Sequence, residues 1–221
     1  MTVKTLAILG GTGLVGQQVV KEALALNYHL RILARTPSKV SAHPNITVIK
    51  GDARDENALN SLVKGVEAVV STLGPAGMNK SIKTAKLSAK EMPCFNSTQA
   101  LLPILKKHGI RRFILTSGVS SRVSGDDNNF IMKILLNKIA PALLGDIYID
   151  REKEYQLLAQ SDVNWTMARC GAMDTNPPSS SLKTSSTTFQ GGKISVQLLA
   201  RFLLTQVDDQ QFIGKGVYLA S

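Results

Sequence analysis

The chain has 221 residues, 43% hydrophobic and 19% charged, which supplies a proper core and excludes a disordered polypeptide. A net charge of +10 would suit a polyanion, but aromatic residues make up only 5% and no nucleic-acid module can be traced. A solvated basic surface is therefore expected, with no nucleic acid as partner. Apolar runs fall far short of the ~20 residues that span a bilayer, no signal-peptide pattern precedes the first strand, and Cys94 and Cys170 are isolated thiols without metal-like spacing. The expectation is a cytoplasmic protein with no membrane contact and no metal.

In chain order, residues 3–9 read as an apolar strand and 14–26 as an amphipathic helix, joined by a turn with glycines at 10, 11, 13 and 16. Residues 29–34 and 46–49 read as the second and third strands, 57–63 as a short helix and 68–72 as the fourth strand. A long helix is predicted over 96–108, with Gly109 just past its end as a stop signal. Residues 112–116 follow as strand five, 130–144 and 149–160 as helices, and 165–169 as strand six. Strands separated by helices require parallel βαβ units with right-handed crossovers. The fold class is α/β: a doubly wound, parallel-sheet Rossmann fold over residues 1–221, with a small substrate-side region near the C-terminus. Residues 173–188 are rich in Pro, Ser and Thr and read as loop. The wider segment 171–192 is expected to be flexible and to lie beside the strand C-termini, where open sheets bind ligands.

The glycine turn carries the chemistry. Its spacing, Gly10-x-x-Gly13-x-x-Gly16, follows a strand and opens a helix, the context in which backbone N–H groups and the helix dipole receive a pyrophosphate. Gly10, Gly11, Thr12, Gly13, Leu14, Val15 and Gly16 are the candidate phosphate-binding residues. Rossmann domains usually place an acidic residue about 20 positions further on, for the ribose 2′-hydroxyl. Here no Asp or Glu occurs between Glu22 and Asp52, and Arg35 ends strand two, followed by Thr36, Ser38 and Lys39. A guanidinium with neighbouring donors suits a 2′-phosphate, so NADP(H) is expected over NAD(H). Further on, Lys80, Lys83, Lys86 and Lys90 fit one basic helical stripe, while Lys106, Lys107, Arg111 and Arg112 form a second basic cluster.

With these features the chain resembles the atypical short-chain dehydrogenases/reductases, specifically the NmrA-like and NAD(P)H-flavin/biliverdin-reductase-like branch. The stretches that carry the resemblance are VIKGDA from Val48, LVKGVEAVVSTLG from Leu62, RRFILTSG from Arg111 and VNWTMARCG from Val163. GGKISV from Gly191 and FIGKGVYL from Phe212 are similar too. The resemblance implies that Asp52 and Ala53 meet the adenine and that Thr72, Leu73 and Gly74 line the ribose side. It places the active-site hydroxyl at Thr116 and Ser117, and passes Cys170, Gly171 and Ala172 behind the nicotinamide.

One departure matters. The superfamily's Tyr-x-x-x-Lys pair puts both side chains on one helix face. No tyrosine here has lysine at that spacing; Tyr148 is followed by Glu152, with Arg151 one residue short. Tyr148 is thus a weak candidate proton donor beside Ser117. A flavin reductase can work without the pair, because the cofactor supplies the hydride. The leading expectation is an NADPH-dependent oxidoreductase with a planar small-molecule acceptor such as a flavin or quinone. The alternatives are a non-catalytic NADP(H)-binding sensor with a regulatory protein partner, as in NmrA-like relatives, and a nucleotide-sugar epimerase-like enzyme.

Overall fold

The computed structural model describes residues 4–78 and 81–221. Val3, the predicted start of the first strand, and Lys80 of the lysine stripe lie outside the described residues. The first half runs β1 (Thr5–Leu9), α1 (Leu14–Ala25), β2 (His29–Ala34), β3 (Ile46–Lys50), α2 (Glu56–Leu62), β4 (Ala68–Ser71), α3 (Ile82–Ala89) and α4 (Pro93–Lys107). Then come β5 (Arg112–Gly118), α5 (Phe130–Ile134), a wider π-type stretch (Leu135–Ile139), α6 (Ala140–Leu144), α7 (Asp146–Ala159) and β6 (Asn164–Cys170). The chain continues through β7 (Ala172–Asp174), β8 (Lys183–Ser185), β9 (Lys193–Ser195), α8 (Val196–Thr205) and β10 (Lys215–Ala220).

The main sheet has eight strands in the order 3-2-1-4-5-6-10-8. All neighbours are parallel except β10 and β8, which run antiparallel. This is the doubly wound sheet expected. Its central strands are apolar on both faces because helices cover both. Along β1, Leu6 and Ile8 point into one layer with Val19, Ala23, Leu199 and Leu203 from α1 and α8. Ala7 and Leu9 point the other way, among Leu59 and Leu62 of α2 and Leu101 and Leu105 of α4. Trp165 packs in that second layer, edge-on to Tyr155 with ring centroids 5.9 Å apart.

Several expectations change. Helix α8 and strand β10 lie beyond the elements predicted from sequence, and β10 is a seventh parallel strand, against β6. Segment 171–192 is not loop throughout: β7 pairs with β9, and β8 adds to β10. Backbone hydrogen bonds to strands distant in sequence override the Ser/Thr/Pro composition there. Arg112 leaves the surface cluster. It is buried, donating from Nε to the Gln206 carbonyl (2.7 Å) and from its terminal nitrogens to the Asn164 carbonyl (2.6 Å) and Thr166 Oγ1 (2.8 Å).

Two polar networks join elements that are distant in sequence. Arg169, fully buried, makes paired bonds of 2.8 and 2.6 Å to Asp126 and donates to the Gly216 carbonyl at 3.1 Å. Its guanidinium lies 3.5 Å from the centroid of the Tyr218 ring, and Asn128 donates to the Tyr218 hydroxyl at 2.9 Å. The second network caps α4. The residue before that helix, Met92, sits at φ +46° and has no side chain able to cap. Asp150 from α7 does so instead, accepting from the backbone N–H of Cys94 (3.1 Å) and Phe95 (2.8 Å). Because these donors are covered by α7, losing the carboxylate leaves them without water as a substitute. Asp150→Ala should lower the unfolding free energy by about 2–3 kcal/mol, more than the ~1 kcal/mol of an ordinary exposed cap. Urea denaturation would measure it, and a loss below about 0.5 kcal/mol would show that the cap carries no such load.

Candidate functional site

Strand order reverses between β2 and β4 on either side of β1, and ligands of open α/β sheets bind outside the strand C-termini at such a point. The glycine turn lies there. Gly10 has φ +77°, and a Cβ on it would stand 2.8 Å from Thr72 Oγ1. On Gly11 a Cβ would meet Ile32 Cγ2 at 2.8 Å, and on Gly16 it would collide with the Gly10 carbonyl oxygen. Three glycines are therefore demanded by the fold itself. Gly13 differs: at φ −81° its only close neighbour would be the Gly10 oxygen at 3.3 Å, and it faces the cleft. Among the described residues, the N–H groups of Leu14, Val15 and Gly16 find no protein acceptor. A bare glycine beside unpaired donors at a helix N-terminus fits a pyrophosphate.

The cleft encloses about 450 Å³. Of the residues anticipated from sequence, Gly10, Thr12, Gly13, Arg35, Asp52, Ala53, Thr72, Leu73 and Gly74 line it. Gly11 and Gly16 pack beneath the turn, and Leu14 and Val15 open α1 beside it. Thr36 and Lys39 are exposed beyond β2 and are not among the lining residues. Arg35 is exposed at the mouth, free of any ion pair among the described residues. Asp52 accepts from the Arg54 backbone N–H (3.0 Å) and Nε (2.9 Å) through one oxygen. The Arg54 hydrogen bond holds its carboxyl below the usual carboxylate range against a smaller opposing effect of burial, so it is ionised at neutral pH.

Sequence reasoning missed three contributors. Arg54 and Glu91 line the cleft and lie 3.4 Å apart. Arg151 acts from behind: it donates to the Leu73 carbonyl at 2.6 Å and to Glu154 at 2.7 Å, while Glu154 accepts from Thr98 Oγ1 at 2.8 Å. Burial pushes the Glu154 carboxyl up, and Arg151 and Thr98 pull against it. The signal was available in the spacing: Ile147, Asp150, Glu154 and Leu158 share one face of α7, and two of them are carboxylates where a core would place apolar residues.

At the other end of the expected site the structure is closed. Thr116 and Ser117 are buried, and Ser117 Oγ is 2.7 Å from Ser121 Oγ. Ala172 N–H donates to the Gly192 carbonyl at 2.7 Å, and a Cβ on Gly171 would collide with that same carbonyl. Burial pushes the Cys170 thiol up to about 12, so it is a neutral packing group rather than a nucleophile. Tyr148 is buried, its hydroxyl has no hydrogen-bond partner among the described residues, and the Arg122 guanidinium is 5.7 Å from its ring centroid. Burial, then Glu152, raises the phenol above its ordinary value. None of Thr116, Ser117, Tyr148, Cys170, Gly171 and Ala172 is among the residues lining the cleft.

A family model described as NAD(P)H-binding matches residues 10–210, so the chain belongs to that family. Among solved structures, the anaerobilin reductase ChuY of Escherichia coli O157:H7 superposes with a TM-score of 0.78 at 16% identity, over 98% of this chain and 96% of that one. A short-chain dehydrogenase/reductase of Veillonella parvula in complex with NADP gives a TM-score of 0.76 at 18% identity, over 100% and 95% of the two chains. These likenesses show that the chain shares the overall fold of those structures. By sequence, a 3 beta-hydroxysteroid dehydrogenase/Delta 5-->4-isomerase of Mycobacterium tuberculosis is 28% identical over 127 residues, 55% of this chain but 33% of that protein. A phenylcoumaran benzylic ether reductase of Ginkgo biloba is 32% identical over 89 residues, 36% of this chain and 29% of its own. The chain thus spans about a third of the length of the relatives it matches.

The contrast between the glycines is testable. Gly13→Val should weaken NAD(P)H binding by at least about tenfold (~1.4 kcal/mol) while costing less thermal stability than a side chain at Gly16, because its Cβ meets the Gly10 oxygen at 3.3 Å rather than colliding with it. Gly16→Ala should instead destabilise the fold by about 1–3 kcal/mol, because a backbone carbonyl blocks its Cβ. Calorimetry for binding and thermal melting for stability separate the two; equal stability losses would reject the assignment of Gly13 to the ligand.

Proposed function

We propose that this protein is an NADPH-dependent reductase of a planar acceptor such as a flavin or quinone. The observation that carries the reading is the cleft at the switch point, where Gly13 is far less crowded than Gly10, Gly11 and Gly16 and where Arg35, rather than an acidic residue, directly follows β2. The N–H groups at the start of α1 hold the pyrophosphate and Arg35 the 2′-phosphate. Asp52, kept ionised by Arg54, accepts from the adenine amine. Arg151 keeps the Leu73–Gly74 rim in place through the Leu73 carbonyl. Bound NADPH supplies the hydride, so the chain's task is to hold the cofactor and to stack the acceptor against it. Named reductases of similar fold or sequence support the reaction class. Tyr148 is poorly placed to deliver a proton, being buried beside Glu152, and solvent takes that role.

A second reading, a non-catalytic NADP(H)-binding sensor, is favoured by one observation: the buried Ser117 hydroxyl is already engaged by Ser121. Oxidation of NADPH and NADH against FMN, FAD, small quinones and a linear tetrapyrrole separates the two readings. NADPH-preferring turnover establishes the reductase; tight NADP(H) binding without turnover transfers the assignment to the sensor.

Two variants refine the assignment. Arg35→Ala should weaken NADPH binding by about 1.5–3 kcal/mol, roughly 10- to 150-fold, and leave NADH unaffected. Equal losses for both cofactors would remove the 2′-phosphate from Arg35. Tyr148→Phe should keep turnover within about twofold, whereas general acid catalysis is worth about a hundredfold or more, so a fall of that size at unchanged cofactor affinity would make Tyr148 the acid.

A further inference from the structure

Segment 130–144 shows a surface that a water-soluble body does not need. Through α5, the π-type stretch and α6, Met132, Leu136, Ala140 and Leu144 recur every fourth residue and are at least partly covered. The adjacent row is the reverse: Ile131, Leu135, Ile139 and Leu143 are 76%, 41%, 52% and 59% exposed. Beside it stand Phe130 and Ile134, exposed by 77% and 41%. Six large apolar side chains on two neighbouring rows make a continuous ridge rather than scattered surface leucines.

The charges around the ridge indicate what covers it. Residues 128–145 contain Lys133 and Lys138 and no Asp or Glu. Lys133 lies 3.5 Å from the exposed Asp127, and Asp146 closes the segment at its other end; Lys138 has no ion pair among the described residues. The chain as a whole carries +10. A second copy seated symmetrically on this ridge would set the unpaired Lys138 against an equally basic surface whose flanking Asp127 is already held by Lys133, and two strongly basic bodies would repel. An anionic lipid surface answers both features, since headgroups take the lysines and the acyl boundary takes the apolar rows.

We propose that the 130–144 ridge docks this protein on anionic membrane surfaces, lying in the interface rather than crossing it. Among the described residues no helix is long and apolar enough to span a bilayer. The sequence-based expectation of no membrane contact rested on spanning length, a criterion that a surface-lying segment does not need to meet. The inference is independent of the proposed reductase activity.

Flotation of the full chain with vesicles of phosphatidylcholine, with and without phosphatidylglycerol, tests it. Binding to the anionic vesicles should exceed binding to neutral ones by about tenfold and weaken with added salt. Ile131→Ser/Ile139→Ser should abolish flotation, and Lys133→Gln/Lys138→Gln should remove most of the anionic preference. All four side chains are exposed, so melting temperature and NADPH affinity should not change in either variant, which separates docking from folding and from the cofactor site. Absence of flotation, or flotation indifferent to the isoleucine pair, would overturn the proposal. So would a wild-type dimer in light scattering that the isoleucine pair dissolves while no vesicle is bound, since the ridge would then belong to a second copy.

Discussion

Everything at the cleft depends on how closely the backbone passes itself where β1 turns into α1. The helix begins so near the preceding turn that the Gly10 carbonyl occupies the place of a Cβ at Gly16. Thr72, arriving from β4, closes the same turn from the other side, donating its hydroxyl to the carbonyls of Leu9 (3.3 Å) and Gly10 (3.2 Å). This contact brings the N-terminus of α1 over the C-terminal end of the sheet. A bulkier turn would lift the helix and scatter its free N–H groups. Binding an anion is here a by-product of dense packing: the fold requires a place with no side chains, and the exposed backbone supplies the donors.

The opposite rim is held by charge rather than by shape. Helix α7 puts Asp150, Arg151 and Glu154 into contact with the start of α4 and with the segment after β4. Buried ionic groups seldom add much net stability, because desolvation consumes most of the attraction. Their benefit is directional. Arg151 bonds the Leu73 carbonyl and Glu154 at once, which ties the rim residues Leu73 and Gly74 to the buried face of α7. An apolar α7 face would pack as firmly and leave the rim free to slide.

The glycine turn, the alternation of strands and helices, and Arg35 at the end of β2 were legible because each depends on local chemistry. The cleft end built from them was legible too. What escaped depends on partners distant in sequence. Arg112 reads as one member of a basic surface cluster until Gln206, 94 residues away, receives it. Strand β8 lies within a stretch whose composition argues for loop, and only the edge of β10 makes it a strand. In α7 the spacing marks Asp150 and Glu154 as inward-facing, but their partners at the start of α4 and at Thr98 are more than fifty residues away. Around Ser117 and Tyr148 the family resemblance marked positions, but not the surroundings that decide what a hydroxyl can do there.

The clamp of Arg169, Asp126, Tyr218 and Asn128 has a consequence for how the molecule opens. The outer part of a sheet is ordinarily where amide protons exchange first, through local fraying. Here, peeling β10 away would strip Arg169 of the Gly216 carbonyl and the Tyr218 ring together, leaving a guanidinium in the core with fewer partners. That penalty couples β10 to β6, and through Asp126 to the loop after β5. The C-terminal side of the sheet should therefore exchange as one cooperative unit rather than strand by strand.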